Sequence, residues 1–225
     1  MSREVIVFDM DGVLVDVSGS YRETIRQTVR HFTGTEISHG RIQELKNAGG
    51  WTNDWAVAHR LIQDLGFQVR YEDVVAKFQE LFLGAGDGPG LIRQERWVAR
   101  PGLLERLSGR AALAVFTGRP REEAWLTLNR FAGGVVFDPV VGAEDVDRGK
   151  PAPDGLLLIA RRTGARKMWY IGDTVDDARS AQAAGVPFIG VAAPHAPLRR
   201  QLLELFQALG AVAVVEDINQ LEGVL

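Results

Sequence analysis

After Met1-Ser2-Arg3-Glu4 the chain enters an apolar run, Val5-Ile6-Val7-Phe8, that stops at Asp9-Met10-Asp11-Gly12. β-Branched and aromatic residues without alternation predict a strand buried on both faces, so both aspartates fall at its carboxyl edge. Further on, the period changes. Tyr21, Ile25, Val29 and Phe32 recur at helical spacing, with Ser20 available as an N-cap. A weaker helix is predicted around Ile42 and Leu45. Stripes at Trp55, Ala58, Ile62 and Leu65, and at Val74 or Val75, Phe78, Leu81 and Phe82, predict two more. The glycine-rich segment 84–90 ends this stretch, and Pro101-Gly102 marks the return to another pattern.

From Leu103 onward strands and helices alternate. Apolar strand candidates are Leu113–Phe116, Val135–Val141, Met168–Ile171, Phe188–Val191 and Ala211–Val215, with helical patterns near 121–131, 154–163, 175–184 and 198–209. Such alternation predicts a parallel sheet covered on both faces. The expected organisation is an α/β core, residues 1–16 and 97–225, interrupted after its first strand by a helical insert, residues 17–96. No internal repeat or low-complexity tract is visible.

Composition narrows the chemistry. Hydrophobic residues make up 46% of 225 and charged residues 24%, as in an ordinary globule. A net charge of −3 offers no basic field for nucleic acid. Without cysteine there are no disulfides, thiol nucleophiles or zinc–thiolate sites. The four histidines, His31, His39, His59 and His195, show no metal-ligand spacing. No secretory peptide or bilayer-length apolar stretch is seen, so a cytoplasmic location without membrane association is the expectation.

The candidate chemistry lies where strands end. Asp9 and Asp11 alternate along an extended backbone and so can face one target, with Gly12 turning the chain away. Two carboxylates this close repel, and a divalent cation relieves that repulsion. An aspartate pair also solvates turns, but the fuller string Asp-Met-Asp-Gly-Val-Leu-Val-Asp is harder to explain that way. Thr117 ends the next core strand and is followed by Gly118-Arg119-Pro120-Arg121-Glu122-Glu123, a helix start suited to anions. Lys150 precedes Pro151 and Pro153, which hold it outside the following helix. Asp173 ends a further strand, Met168-Trp169-Tyr170-Ile171-Gly172, with Asp177 one helical turn on. Capping explains each polar residue singly. It does not explain why three core strands each end in a group suited to phosphate or metal.

Together these segments resemble the four motifs of the haloacid dehalogenase-like (HAD) hydrolase superfamily, in order, in the branch whose helical cap follows the first motif. The resemblance implies a Rossmann-like parallel-sheet core with an inserted α-helical cap, and a phosphoglycolate phosphatase-like enzyme. It implies Asp9 as nucleophile, forming an aspartyl-phosphate, and Asp11 as general acid and base. Mg²⁺ would be held by Asp9, the Asp11 carbonyl and Asp173. Asp177 belongs to the same metal site by motif position, with Asp176 as competitor. Thr117 and the Gly118 amide would bind phosphate, and Lys150 would neutralise charge.

The expected partner is a small phosphorylated metabolite. The insert is expected to select it, with Trp51 and Asn53 in the loop 49–53 and Lys46, Arg60 and Arg119 as polar candidates, Arg119 foremost. Trp51 either closes over ligand or packs between insert helices. Asp11 argues against a dehalogenase. A phosphomutase of the β-phosphoglucomutase type remains an alternative, and a phospho-receiver domain is the non-enzymatic one.

Overall fold

The computed structural model describes residues 4–85 and 88–225. Met1 to Arg3, and Gly86 and Asp87 within the glycine-rich segment, lie outside the described residues. The opening apolar run forms β1 (Glu4–Phe8), followed by the short β2 (Val15–Asp16). Four helices come next: α1 (Tyr21–Thr33), α2 (His39–Ala48), α3 (Asp54–Asp64) and α4 (Tyr71–Leu83). The short β3 (Arg96–Trp97) pairs with β2. Then come α5 (Leu103–Ser108), β4 (Ala112–Phe116), α6 (Arg121–Phe131), β5 (Phe137–Val141) and α7 (Asp154–Thr163). β6 (Lys167–Gly172), α8 (Val175–Ala184), β7 (Phe188–Val191), α9 (Arg199–Ala208) and β8 (Ala213–Val215) follow, and a short 3-10 helix, Ile218–Gly223, comes last. Two compact units result, Met1–Val15 with Trp97–Leu225, and Asp16–Arg96.

The first unit is built on a six-stranded sheet in the order β5-β4-β1-β6-β7-β8, its paired strands parallel. β1 is central, with Phe8 opposite Val115 of β4 and Ile171 of β6. The chain crosses to one side of β1 through β4 and β5, then to the other through β6 to β8. Ligands of open α/β sheets bind at the carboxyl ends of strands beside such a switch point. One face is filled by Phe116, Tyr170, Phe188 and Phe206, a row of rings with successive centroids 6.1, 6.1 and 5.3 Å apart. Full burial of one such side chain contributes about 1.5–3 kcal/mol. Ala178 and Ala181 let α8 approach closely, and Gly185 ends that helix in the left-handed conformation.

The second unit buries Tyr21, Ile25 and Val29 of α1, Val57, Ala58, Leu61 and Ile62 of α3, and Val74, Phe78 and Phe82 of α4. Tyr21 packs against Phe82 with ring centroids 4.1 Å apart and planes tilted by 38°. Three expectations change. Phe32 is only half-buried, and Leu65 is exposed because it already caps α3. Ser20 occupies the N-cap of α1, but its φ of −113° and ψ of −97° depart from the extended conformation, and its hydroxyl makes no cap bond. Strands β5 and β8 begin at Phe137 and Ala213, two residues later than expected. Among the described residues no helix is long and apolar enough to cross a membrane.

Candidate active site

The carboxyl ends of β1, β4 and β6 bring the polar residues of the first unit together. Asp9 directly follows β1, and its N–H donates to the Ile171 carbonyl at 2.8 Å, extending the β1–β6 ladder by one residue. That bond fixes the Asp9 backbone beside the end of β6, where Asp173 emerges. Gly12 makes this approach possible. A Cβ there would lie 2.0 Å from Asp173 Oδ2, and its φ of +75° also favours glycine.

Lys150 reaches the same place from the loop before α7. Its Nζ lies 2.7 Å from Asp9 Oδ1 and 2.7 Å from Asp177 Oδ1. The ammonium also stands over the rings of Phe116, at 5.0 Å, and Tyr170, at 5.5 Å. Burial alone would lower its pKa, but the facing carboxylates of Asp177 and Asp9 outweigh this and raise it, so it stays charged.

Asp177 is fully engaged. Its Oδ1 accepts from Lys150 and from the Tyr170 hydroxyl at 2.6 Å, and its Oδ2 accepts from the Thr174 N–H at 3.0 Å and hydroxyl at 2.6 Å. Thr174 in turn caps α8 by accepting from the Asp177 N–H, which completes a capping box. Burial would push the Asp177 carboxyl up; Lys150, Thr174 and Tyr170 together hold it below its ordinary value. Asp9 goes the other way. Burial pushes it well above the usual carboxylate range, Lys150 opposes this, and the carboxylates of Asp177, Asp173 and Asp11 push it further up.

One ammonium therefore faces an excess of carboxylates. Asp9, Asp173 and Asp177 each offer an oxygen, and the three oxygens lie within 4.8 Å of one another. Hard, closely spaced oxygen donors with unbalanced negative charge fit a divalent cation such as Mg²⁺. Asp177 already serves Lys150, Tyr170 and Thr174, so Asp9 and Asp173 are the carboxylates best placed as ligands. The competing Asp176 turns instead toward Arg179, at 3.8 Å.

The hydroxyl of Thr117, buried at the end of β4, accepts the Arg119 N–H at 3.1 Å, and the Thr117 N–H donates to Val141. The next residue, Gly118, lies in the turn that leads to α6. Arg119 departs from its expected place as a substrate contact. Its buried guanidinium is directed onto Asp11, with Nε 2.9 Å from Asp11 Oδ1, and onto Thr127. In the second unit Asn53 Oδ1 caps α3 by accepting from Ala56, and Trp51 is half-buried with its carbonyl 3.5 Å from Lys46 Nζ. Lys46 pairs with Asp54 and Arg60 with Asp64, both at 2.8 Å. Sequence reading missed Tyr170 and Thr174 as partners of Asp177. The Thr174-x-x-Asp177 spacing carried a capping-box signal, whereas nothing local marked the tyrosine.

Residues 4–185 match the sequence model of the haloacid dehalogenase-like hydrolase family. The chain belongs to this family. Among its relatives, a phosphoglycolate phosphatase from Escherichia coli is 26% identical, over 83% of this chain and 80% of that protein. A Phytophthora nicotianae protein named imidazoleglycerol-phosphate dehydratase is 35% identical over 93% of this chain, which spans 48% of that relative's length. A crystal structure of a haloacid dehalogenase-like hydrolase from Bacteroides fragilis shares the fold. Its TM-score is 0.74 at 24% identity, covering 97% of this chain and 99% of that one. Membership of a hydrolase family sets aside the phospho-receiver alternative.

Proposed function

We propose that this HAD hydrolase is a Mg²⁺-dependent phosphatase that cleaves a small phosphorylated metabolite through an aspartyl-phosphate on Asp9. The observation that carries the reading is Lys150, buried and held 2.7 Å from both Asp9 Oδ1 and Asp177 Oδ1, two members of the Asp9, Asp173 and Asp177 cluster. A nucleophile in phosphoryl transfer must be fixed in line, and charge building on the phosphoryl oxygens must be met by preset positive groups. Lys150 orients Asp9 and supplies that charge. Thr117 and the Gly118 amide are assigned the phosphoryl oxygens at the end of β4.

Asp9 attacks phosphorus, Asp11 gives a proton to the leaving oxygen, and Asp11 then takes a proton from the water that hydrolyses the intermediate. Asp9, the Asp11 carbonyl and Asp173 would hold Mg²⁺, which would supply further neutralisation of the phosphoryl charge. Asp177 keeps Lys150 in place. The helical unit is assigned the choice of substrate, through Trp51 and Asn53, and phosphoglycolate is the first compound to try by analogy with the relative of that name.

The test is hydrolysis of p-nitrophenyl phosphate and a panel of phosphorylated metabolites, with Mg²⁺ and with chelator. Metal-dependent release of inorganic phosphate, lost in Asp9→Asn, supports the reading. Isomerisation of a sugar phosphate without phosphate release would favour the phosphomutase instead. Activity unchanged in Asp9→Asn would remove the nucleophile assignment.

A further inference from the structure

We propose that Arg119 is the positioning residue of the general acid, pinning one carboxylate oxygen of Asp11 so that the other serves the leaving group. The inference rests on the phosphatase reading above. Arg119 is the largest fully buried side chain described, an unusual place for a charged group, and such a group needs a partner to offset its desolvation. Its Nε and Nη2 both donate to Asp11, across 108 residues of sequence. Nη1 donates to the Thr127 hydroxyl of α6 at 3.0 Å, and the Arg119 N–H is tied to Thr117 at 3.1 Å. The guanidinium is thus held between Asp11 and Thr127 of α6, while the Arg119 backbone is anchored to Thr117 just beyond β4. It has little freedom to follow a substrate.

Both bonds to Asp11 converge on Oδ1, and the Asp11 carboxylate is the open member of the pair, 28% exposed against 1% for Arg119. The aspartate also lies outside the Asp9, Asp173 and Asp177 set whose oxygens crowd together. Arg119 therefore separates the two strand-end carboxylates by task, holding Asp11 away from the ion cluster with Oδ2 directed elsewhere than the guanidinium. A rigid planar fork does this where a lysine, a point charge on a flexible stem, does not. In the forward step the Asp9–phosphorus bond forms and the phosphorus–ester oxygen bond breaks. The electron pair stays on the leaving oxygen, and the proton on Asp11 Oδ2 passes to it. In the return step the Asp11 carboxylate takes a proton from water as the water oxygen bonds phosphorus and the Asp9–phosphorus bond breaks.

A positioned acid matters in proportion to how much the leaving group needs a proton. p-Nitrophenolate leaves unaided, whereas phenolate, with a tyrosine-like acidity, gains from protonation. The experiment compares kcat/KM for p-nitrophenyl phosphate and phenyl phosphate, with Mg²⁺, in the parent protein, Arg119→Met, Arg119→Lys and Thr127→Val. Arg119→Met is expected to lose about tenfold or more on phenyl phosphate beyond its loss on p-nitrophenyl phosphate. Arg119→Lys and Thr127→Val are expected to show the same preference at smaller size. Thr127→Val keeps the guanidinium and takes away its Thr127 anchor, so it carries the comparison if Arg119→Met does not fold. Equal losses on both esters in folded variants would overturn the positioning role alone. A parent protein that hydrolyses neither ester would overturn the phosphatase reading and this inference with it.

Discussion

Lys150 Nζ stands 2.7 Å from Asp177 Oδ1, with the two side chains only 4% and 0% exposed. The pair is a support for catalysis more than a source of stability, because desolvating both ions offsets much of their attraction. Removing one partner is another matter. In Lys150→Met the carboxylates of Asp9, Asp173 and Asp177 would face one another without their counter-ion. Stability is expected to fall by about 3–5 kcal/mol without metal. The phosphatase rate is expected to fall by about 10²–10³, the cost of one preset charge-stabilising donor. Urea melts and p-nitrophenyl phosphate kinetics check both. A variant with parental turnover would remove Lys150 from the mechanism.

Tyr170 gives the pH dependence its sign. Burial, then the nearby charges of Asp177 and Asp9, raise its phenol well above the usual value of 10.0. A group whose ionisation is disfavoured in the folded state adds stability that is complete below the unfolded pKa and is lost as pH rises through the folded one. Stability should therefore decline above about pH 10 in the parent protein. Tyr170→Phe should be less stable at neutral pH by roughly 1.5–3 kcal/mol, the worth of a hydrogen bond to a charged group. It should also lose stability less steeply above pH 10. Parallel pH profiles for the two proteins would show that Tyr170 is not the titrating group.

The ends of strands were the readable part of this molecule. An apolar run must stop where its strand leaves the core, so Asp9, Thr117 and Asp173 announced a shared sheet edge before any pairing was known. The parallel sheet and the helical stretch followed from period alone. Arg119 was not readable in the same way. A residue beside a strand end can point toward ligand or into the protein, and its partner Asp11 lies 108 positions away. Local pattern also missed the short helix α5 and the two-residue strands β2 and β3, which are too brief to show a period. The hydroxyl of Ser20 suggested a cap that its backbone angles deny.

Repulsion among the acidic groups predicts a metal response. Without metal, burial raises the Asp9 pKa, Lys150 opposes this, and Asp177, Asp173 and Asp11 raise it further. Mg²⁺ at a hundred times its dissociation constant should add about 2.7 kcal/mol, read as a higher melting temperature. Asp173→Asn removes one of the crowded charges. It should raise metal-free stability slightly and abolish the Mg²⁺ increment together with activity. A full increment in Asp173→Asn would locate the ion elsewhere.

Trp51 offers a test confined to specificity. Trp51→Ala is expected to cost more, by about tenfold, on the preferred metabolite than on p-nitrophenyl phosphate, because loss of a large ring removes binding that a small artificial ester hardly uses. Equal losses on both would return Trp51 to a packing role.

Gly172 closes β6 directly behind Asp173, and a Cβ there would fall 2.4 Å from Asp177 Cβ and 2.6 Å from its Cγ. Neither atom is the end of a flexible chain, since Asp177 is locked by Lys150, Tyr170 and Thr174. Gly172→Ala must therefore push the start of α8 outward or tilt Asp177 off Lys150. Overpacking of this kind costs about 1–3 kcal/mol. Gly190 of β7 is the matched control: its added Cβ would meet Phe206 Cδ2 at 2.4 Å, against a core ring with no carboxylate involved. Both alanine variants should lose comparable stability. Only Gly172→Ala should lose about tenfold or more in kcat beyond what partial unfolding explains, because only there does the strain reach the residue that holds Lys150. Matching kcat values in the two folded variants would show that the rate does not depend on where Asp177 holds that lysine.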